Sequence, residues 1–432
     1  MTLLEKLSQK SEQAEVFSVE SESLQVGFEA NVLKSAQVEE TRGVALRAIV
    51  DGRLGFAASS DLTAEEKLLD NVLASAQHGD PAPFVFPKPT PGAQVEVCDE
   101  RVAGLTIADL VSLGQELMAI VHQVDPQVHV KLDLERSVRW VTVRNTQDGR
   151  AEETRTPLSM SIMIERVRGD DVLVLYDYWS ATRLDELPHT FVRGIAHRLK
   201  LAERLATVHS GRQPVLFSPM GATVLGLPLM QAVDGKNVYR GISPLTGRLG
   251  EQVFDSQLNL VDDGTLDGRP GSASHDDEGV PTQRTVLVED GTARGFLYDL
   301  KTAAQAGATS TGNGSRGLFN PPRPSPSNII VAAGKTPLAD IISGIEEGVL
   351  VDSPLGLGQG NVISGVFSNS WGLAYRIEKG EIVGRVKDVS IAGNIYQNLR
   401  HIAAISQEEE WVYGGLRMPY ILLESVNVTS KG

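Results

Sequence analysis

The chain of 432 residues contains a single cysteine, Cys98. A lone cysteine excludes an intramolecular disulfide, which is typical of proteins in the reducing cytoplasm. No cationic residue adjoins Cys98 to favour its thiolate, so a reactive role is not expected. The N-terminus lacks the basic and apolar segments of a signal peptide, and no apolar run approaches the ~18 residues that span a bilayer. The sequence therefore predicts a soluble cytoplasmic protein with no membrane partner.

Positive charge is also scarce, because 40 Lys and Arg residues are set against 55 Asp and Glu residues and give a formal net charge of −15. Binding to nucleic acid requires clustered Lys and Arg side chains that neutralise phosphates. Here these residues are scattered, so direct contact with DNA or RNA is not expected. Hydrophobic residues make up 41% of the chain, enough to fill real cores, and the length predicts two or three domains.

Several catalytic patterns are missing. There are eight histidines, and no two of them are separated by three, four or five positions. A zinc-hydrolase helix needs two histidines on one face together with a glutamate as general base. The Gly-x-Ser-x-Gly pattern of a serine nucleophile elbow is absent as well. Gly356-Leu-Gly-Gln-Gly360 is neither a Walker loop nor a dinucleotide fingerprint, so nucleotide binding is not expected.

The first part of the chain has the patterns of an antiparallel sheet with packed helices. Alternating apolar residues predict strands at 15–20, 23–29, 43–51, 128–134, 138–143, 159–166 and 171–179. Asp51-Gly52 predicts a turn at the end of the third of these strands. Amphipathic patterns predict helices at about 61–78, 107–124 and 191–208. Five prolines between residues 80 and 93 predict an extended connector.

The second part is richer in Gly and Pro, and short strands separated by turn signals are predicted there. These strands are at 213–218, 284–289, 329–333, 348–351, 374–378 and 382–386. Glu289-Asp290-Gly291 and Lys379-Gly380-Glu381 predict hairpin turns, because glycine accepts positive φ. The predicted fold is α+β, with an N-terminal domain of antiparallel sheet and packed helices over 1–212. A β-rich C-terminal domain with long loops is predicted over 213–432.

The run His275-Asp276-Asp277-Glu278 is the densest cluster of metal-binding side chain types. Adjacent residues do not readily face one ion, and zinc ligands are usually separated by a turn. No second histidine lies within thirty residues on either side. An acidic turn, whose carboxylates accept backbone N–H groups, is therefore favoured over a metal or acid–base site.

Five blocks in this order resemble the TldD/PmbA family, whose PmbA branch is also called TldE. They are Asp276-Asp-Glu-Gly-Val-Pro-Thr-Gln-Arg-Thr-Val-Leu-Val-Glu-Asp-Gly291, Gly314-Ser-Arg-Gly317, Pro324-Ser-Pro-Ser-Asn-Ile-Ile-Val-Ala-Ala-Gly-Lys335, Val366-Phe-Ser-Asn-Ser-Trp-Gly-Leu-Ala-Tyr-Arg-Ile-Glu-Lys-Gly-Glu381 and Val389-Ser-Ile-Ala-Gly-Asn-Ile395. The predicted N-terminal elements fit as well, so the resemblance covers nearly the full chain. It implies a metallopeptidase-type protein that acts in a two-subunit assembly. Members of the family were once labelled modulators of DNA gyrase.

The TldD branch of this family carries a His-Glu-x-x-x-His zinc helix just after a strand like 213–218. The matching segment here, 219–233, contains no His, Glu or Asp, and Leu and Met side chains do not bind zinc. The resemblance therefore implies the PmbA/TldE branch, with no metal and no catalytic residue in this chain and zinc only in a TldD-like partner. We expect Pro228 to kink or end this helix. Thr223, Leu225, Leu229 and Met230 lie in the region that corresponds to the zinc helix but has lost its ligands.

Three functions stay open on the sequence. The first is a non-catalytic subunit of a TldD-type zinc metallopeptidase complex involved in proteolysis or maturation of peptides. Such a subunit either binds an extended peptide at a sheet edge or shapes the cleft of its TldD-like partner. The second is a peptidase in its own right with an unrecognised metal site, and the third is a homodimeric peptide-binding protein. A homodimer is expected for the isolated chain.

The rims of the peptide cleft are predicted at the loops 307–327 and 356–362. Candidate cleft or partner-facing residues are His275, Asp276, Asp277, Glu278, Gln283, Arg284, Asn313, Arg316 and Asn369.

Overall fold

The computed structural model describes residues 2–185 and 188–431, which form two sheets with helices packed against them. The helices are α1 (Leu3–Ser8), α2 (Glu65–Ala76), α3 (Glu100–Ala103), α4 (Ile107–Val124), α5 (Pro188–Leu201), α6 (Thr223–Ala232), α7 (Gly235–Tyr239), α8 (Leu300–Ala306), α9 (Leu338–Ser343) and α10 (Ile395–Asn398), with a 3-10 turn at Val362–Ser364. The predicted α+β class is confirmed.

The first sheet contains seven antiparallel strands in the order β3-β2-β1-β4-β6-β7, with β5 paired to β4. They are β1 (Gln13–Glu29), β2 (Val32–Val50), β3 (Arg53–Ser59), β4 (His129–Asn145), β5 (Arg150–Arg155), β6 (Leu158–Arg168) and β7 (Asp171–Ala181). Helices α4 and α5 contribute to the core beneath this sheet. Helix α4 begins with a capping box, in which Thr106 and Asp109 each bind the other's backbone N–H.

The second sheet contains twelve strands, most of them antiparallel, in the order β12-β11-β10-β15-β21-β9-β16-β17-β18-β8, with β19 and β20 both paired to β21. Its strands are β8 (Leu205–Ala206), β9 (Gly211–Phe217), β10 (Leu260–Asp263), β11 (Arg284–Glu289), β12 (Thr292–Ala293), β15 (Ile329–Val331), β16 (Glu347–Pro354), β17 (Val366–Glu378), β18 (Glu381–Val386), β19 (Val389–Asn394), β20 (Ile402–Val412) and β21 (Leu416–Ser430). Strands β13 (Gly314–Ser315) and β14 (Arg323–Pro324) form a separate pair.

One hydrophobic core joins the two sheets. It contains Leu132 of β4 and Ile162 of β6 together with Leu350, Leu373 and Ile377 of β16 and β17. Burial of apolar area is the main favourable term in folding, so this shared core fixes the two sheets against each other. The functional features described below lie along and beside this junction. The predicted domain division at 212/213 stays a prediction.

Most of the predicted strands form, but they are longer than their alternating segments indicated. The segments 15–20 and 23–29 lie in the single strand β1, and 128–134 and 138–143 lie in β4. Strand β2 includes residues 32–42, which are mostly exposed and lack alternation because no core selects one face. Strands β10, β19, β20 and β21 were not predicted. Strand β20 carries three consecutive glutamates, which conceal its alternation.

The third helix differs from its prediction. The pattern predicted a helix from 191 to 208, whereas α5 ends at Leu201. The following Leu205 and Ala206 pair in parallel with β18, so tertiary pairing overrides the local helical pattern. The helix predicted at 107–124 has the observed bounds of α4.

Three two-residue turns behave as the sequence predicts. Asp51-Gly52, Asp290-Gly291 and Lys379-Gly380 each have positive φ at both residues, the geometry that joins antiparallel strands with their natural twist. The 80–93 segment contains no helix or strand, with only an isolated bridge at Pro81 among its described residues, and its extended conformation stays a prediction. Within the ranges described, no helix is both long and apolar enough to cross a bilayer.

The shared core generates a stability prediction on one strand. Leu373→Ala removes a fully buried side chain of β17 and should lower the free energy of unfolding by about 2–5 kcal/mol. Val366→Ala is the matched control, because Val366 begins the same strand and is 68% exposed; its effect should stay within about 0.5 kcal/mol. Urea unfolding of both variants measures the difference. Equal effects would show that β17 does not depend on the shared core.

Candidate functional site

Four buried charged side chains meet where the first sheet contacts the second half of the chain. Arg47 of β2 binds Glu15 of β1 through two hydrogen bonds, Nε to Oε1 at 2.9 Å and Nη2 to Oε2 at 2.5 Å. Its Nη1 donates to Glu278 Oε1 at 2.5 Å. Arg316 Nη1 lies 2.7 Å from Glu15 Oε1. All four side chains are essentially inaccessible to solvent, so two guanidinium groups and two carboxylates neutralise one another inside the protein.

The pKa values of the network's side chains are shifted most by burial and next by their charged partners. Burial disfavours the charge of Glu15, but Arg316 and Arg47 overcome this and hold its pKa below the usual range. Burial likewise opposes the charge of Arg47, yet Glu15 and Glu278 raise its pKa. Burial raises the pKa of Glu278, although Arg47 acts against it. The guanidinium of Arg316 also stacks 4.1 Å from the ring centroid of Phe17.

The carboxylates of Asp276 and Asp277 accept hydrogen bonds from backbone N–H groups. Asp276 accepts three backbone N–H groups, from Glu278 and Val280 at 2.9 Å and from Gly314 at 2.8 Å. Burial, together with nearby Glu278, raises the pKa of Asp276 well above its usual value. Asp277 accepts the Arg316 backbone N–H at 3.0 Å, and its carbonyl accepts Arg316 Nη2 at 2.6 Å. The loop is an acidic turn that ties 276–280 to 314–316.

The remaining candidates of this region lie apart from one another. His275 Nε2 donates to the Thr90 carbonyl at 2.9 Å, so its ring secures the proline-rich connector. Gln283 and Arg284 are exposed on the second sheet, where Arg284 Nε lies 3.9 Å from Asp263. Over 2–185 and 188–431 no group of three or more His, Cys, Asp or Glu side chains is arranged to hold a metal ion.

Asn313 lies in a second buried polar cluster. Its Nδ2 donates to Asp262 Oδ2 at 2.6 Å and to the Ser325 carbonyl at 3.1 Å, and its Oδ1 accepts Thr311 Oγ1 at 2.7 Å. Asp262 Oδ1 accepts the Ser327 backbone N–H at 2.7 Å. Burial raises the pKa of Asp262 to about 7, in spite of these donors. The cluster holds the start of the 324–335 block against β10.

Helix α6 follows β9, in the strand–helix order that the family resemblance implied for the zinc helix. It carries no metal-binding side chain: Thr223, Leu225 and Leu229 are buried, and Met230 packs against the core of the second sheet. Thr223 Oγ1 donates to the Met220 carbonyl at 2.6 Å. Pro228 lies inside the helix and does not end it, so of the two expected effects only a kink stays a prediction.

Two clefts flank α6 and share Leu227 and Leu357 in their walls. One, of about 340 Å³, lies between α6, the loop 355–359 and the first residues of β17. The other, of about 460 Å³, lies between α6, the segment 323–327 and the turn after β20. Asn369 lines the first cleft, and its Nδ2 donates to the Leu355 carbonyl at 3.0 Å. The structure therefore places parts of both predicted rim loops along helix α6. We call the two clefts together the α6 groove.

Sequence reasoning missed Glu15 and Arg47, which are directly paired across β1 and β2. Both had a readable signal. Glu15 lies on the same strand face as the buried Phe17 and Val19, and Arg47 on the same face as the buried Ala45 and Ile49. A charged residue at an inward-facing position of an alternating strand indicates a buried partner, because an unpaired charge would be too costly to bury.

Comparison with known proteins gives consistent relationships. Residues 210–430 match the family profile of the PmbA/TldA metallopeptidase C-terminal domain, and 14–76 match that of PmbA/TldA metallopeptidase domain 1. An uncharacterised protein of Methanocaldococcus jannaschii is 28% identical over 403 residues, 92% of each chain. A protein of Haemophilus influenzae named a metalloprotease TldD homolog is 35% identical over 206 residues, 46% of this chain and 42% of that protein.

Solved structures share the fold. The structure titled TldE from Thermococcus kodakarensis superposes with a TM-score of 0.89 at 24% identity, covering 99% of both chains. A Thermotoga maritima structure titled as a candidate modulator of a DNA gyrase gives a TM-score of 0.90 at 24% identity, covering 99% of this chain and 98% of that one.

The buried network predicts a large penalty for losing one of its charges. Arg47→Met leaves Glu278 without its guanidinium partner and Glu15 with Arg316 alone, and it should lower the free energy of unfolding by about 3–5 kcal/mol. Arg144→Met is the control, because Arg144 forms an exposed ion pair with Glu152 at 3.0 Å and its loss should cost less than about 1 kcal/mol. Urea unfolding measures both. A cost for Arg47→Met no greater than the control would contradict this role.

The raised pKa of Asp262 predicts how the free energy of unfolding changes with pH. Its pKa is raised to about 7 in the folded chain, so between about pH 4 and pH 7 the folded state keeps a proton that the unfolded state has lost. This contribution to stability is therefore full below about pH 4 and is lost as pH rises to about 7. Asp262→Asn cannot titrate, so its stability relative to the parent should rise across this window by up to about 1.4 kcal/mol per pH unit. Urea unfolding at several pH values tests this; a constant difference would refute it.

Proposed function

Because the chain belongs to the PmbA/TldD metallopeptidase family, we propose that it is a non-catalytic subunit that assembles with a zinc-bearing TldD-like member and binds an extended peptide in the α6 groove. The observation that carries this proposal is α6 itself. By the family resemblance this helix corresponds to the zinc helix of the catalytic branch, and its side chains here are mostly apolar. Leu, Val and Met side chains give no ligand to zinc.

The α6 groove has the form that an extended peptide requires. Its walls combine the apolar side chains of Leu227 and Leu357 with residues 366–370 at the start of β17. Residues 366–370 pair with β19, and Asn369 holds the loop 355–359 beside them. Gly356, Gly358 and Gly360 have positive φ and no side chain, which allows a ligand backbone to approach the loop closely. Sheet-edge backbone groups and apolar pockets are the elements of peptide recognition by strand addition.

The partner proposal is supported by the names of the relatives. One matching structure is titled TldE, and several matching sequences are named TldD homologues or metalloproteases. A chain without zinc ligands on α6 contributes to proteolysis if it holds or delivers the peptide to a subunit that has them. In such a complex the partner subunit holds the zinc and cleaves the peptide. Both subunits bind the peptide.

Co-expression with a homologue that carries His-Glu-x-x-x-His tests both parts. We expect a stable complex that cleaves an unfolded peptide, whereas the isolated chain should hold less than stoichiometric zinc and cleave nothing. Leu227→Arg places a charge between the two clefts and should lower kcat/KM of the complex at least about tenfold, because it removes apolar contact with the peptide. Leu249→Arg is the control, since Leu249 is exposed and lies outside the groove.

The outcomes separate the three functions. Stoichiometric zinc and peptidase activity in the isolated chain, both lost in His275→Ala, would show a peptidase in its own right. A stable homodimer that binds peptide and ignores the homologue would show a binding protein. A complex in which Leu227→Arg cleaves as fast as Leu249→Arg would leave the assembly intact but remove the α6 groove from peptide binding.

A further inference from the structure

A third cavity lies at the junction of the two sheets, separate from the α6 groove. It occupies about 550 Å³ between β7, helix α5, the segment before α6 and the paired strands β20 and β21. The turn after β20 separates it from the groove, because Glu410, Trp411 and Val412 line this cavity whereas Tyr413 lines the groove. A volume of this size is typical of sites for small ligands.

An ion-pair network forms the floor of the cavity. Arg198 of α5 donates to Asp177 of β7, and its Nη1 donates to Asp352 Oδ2 of β16 at 2.7 Å. Asp352 Oδ1 also accepts Ser218 Oγ at 2.7 Å, and the Arg198 carbonyl accepts Tyr375 Oη at 2.8 Å. One guanidinium therefore faces two carboxylates, and both carboxylates are buried. Among these three groups the carboxylates exceed the guanidinium by one negative charge, and the buried Arg269 also lines the cavity.

Glu410 adds a second negative charge to the same cavity. Its carboxylate makes no hydrogen bond or ion pair with any residue that the structure describes, although neighbouring charged groups of the protein are extensively paired. Glu410 is exposed to solvent, yet partial desolvation in the cavity raises its pKa; Arg198 lowers this pKa, and Asp352 and Asp177 act to raise it. An accessible, unpaired carboxylate beside the floor is therefore open to a cationic ligand that enters the cavity.

The walls are aromatic and apolar. Trp179 of β7, Phe191 of α5 and Tyr420 of β21 line the cavity together with Met220. Trp411 is already engaged, because the guanidinium of Arg269 lies 4.7 Å from its ring centroid. Aromatic faces attract cations and the methylene groups of an aliphatic chain contact apolar walls, so the lining suits a chain with a positive end.

We propose that this cavity is a binding site for an aliphatic ammonium group, with Glu410 as its counter-ion and Trp179, Phe191 and Tyr420 around its methylene chain. A carboxylate or phosphate ligand would be repelled, because the carboxylates of the lining (Asp177, Asp185, Asp352 and Glu410) outnumber the guanidinium groups of Arg198 and Arg269. A bare metal ion is disfavoured, because nowhere in the described parts of the chain are three potential ligands suitably grouped. The ammonium has two chemical sources, a lysine side chain in a peptide or a free alkylamine. The site does not depend on the proposed partner subunit.

The test uses the isolated full-length chain and four probes. Nα-acetyl-lysine methylamide represents the peptide side chain, and pentylamine represents the free amine. Nα-acetyl-norleucine methylamide has the aliphatic chain without the charge, and Nα-acetyl-glutamate methylamide has the opposite charge. Binding is followed by tryptophan fluorescence, to which Trp179 responds as part of the wall, and by isothermal titration.

We expect at least one ammonium probe to bind saturably and at least about tenfold more tightly than the norleucine and glutamate probes. Glu410→Gln should weaken that probe about tenfold or more. Glu409→Gln is the matched control, because Glu409 precedes Glu410 on β20 but lines a different cleft, 3.3 Å from Arg417; it should leave binding unchanged. Preference for the lysine probe over pentylamine would identify a peptide as the source, and the reverse preference a free amine.

Two results would overturn the inference. The first is a failure of charge selectivity: the norleucine probe binds as tightly as the ammonium probes, or neither ammonium probe binds saturably. The second is an unchanged affinity in Glu410→Gln, with circular dichroism showing that the variant is folded. Neither result bears on the α6 groove or on assembly with a TldD-like chain.

Discussion

The buried network of Glu15, Arg47, Glu278 and Arg316 is the constraint on which the arrangement of the chain depends. Two of these side chains come from adjacent strands of the first sheet, and two come from loops more than two hundred residues later. Charges taken out of water must be paired with good geometry, or the cost is several kcal/mol for each ion. The network therefore fixes the 275–278 and 314–316 loops to the first sheet, and with them the position of the two halves.

This constraint explains why the conspicuous acidic run of the sequence has a structural role. Asp276 and Asp277 bind backbone N–H groups, and Glu278 neutralises Arg47. The groups that face solvent-filled space lie elsewhere, along α6 and around Glu410. One region combines apolar side chains such as Leu227 and Leu357 with polar ones such as Asn369, whereas the other is acidic and aromatic. The two surfaces are therefore suited to different ligand chemistry.

The local features of the fold were readable because short-range rules decide them. Helix α4 and the turns at Asp51-Gly52 and Lys379-Gly380 have the predicted positions, since capping and positive φ are properties of a few neighbouring residues. Strand length was underestimated in β1 and β4, and β20 was missed, because pairing with a neighbour extends a strand beyond its alternating segment. The end of α5 was misplaced for the same reason, as Leu205 and Ala206 join β18.

The sequence by itself determined the α+β class, the family and the absence of zinc ligands between 219 and 233, because these follow from residue types in order along the chain. The alternating strand positions of Glu15 and Arg47 also carry a signal of buried charge, which the sequence prediction missed. Only the tertiary structure decided which charges meet. The partners of Arg47 and the neighbours of Glu410 come from distant segments, and Coulomb interactions depend on distance in space, which the order of residues does not specify.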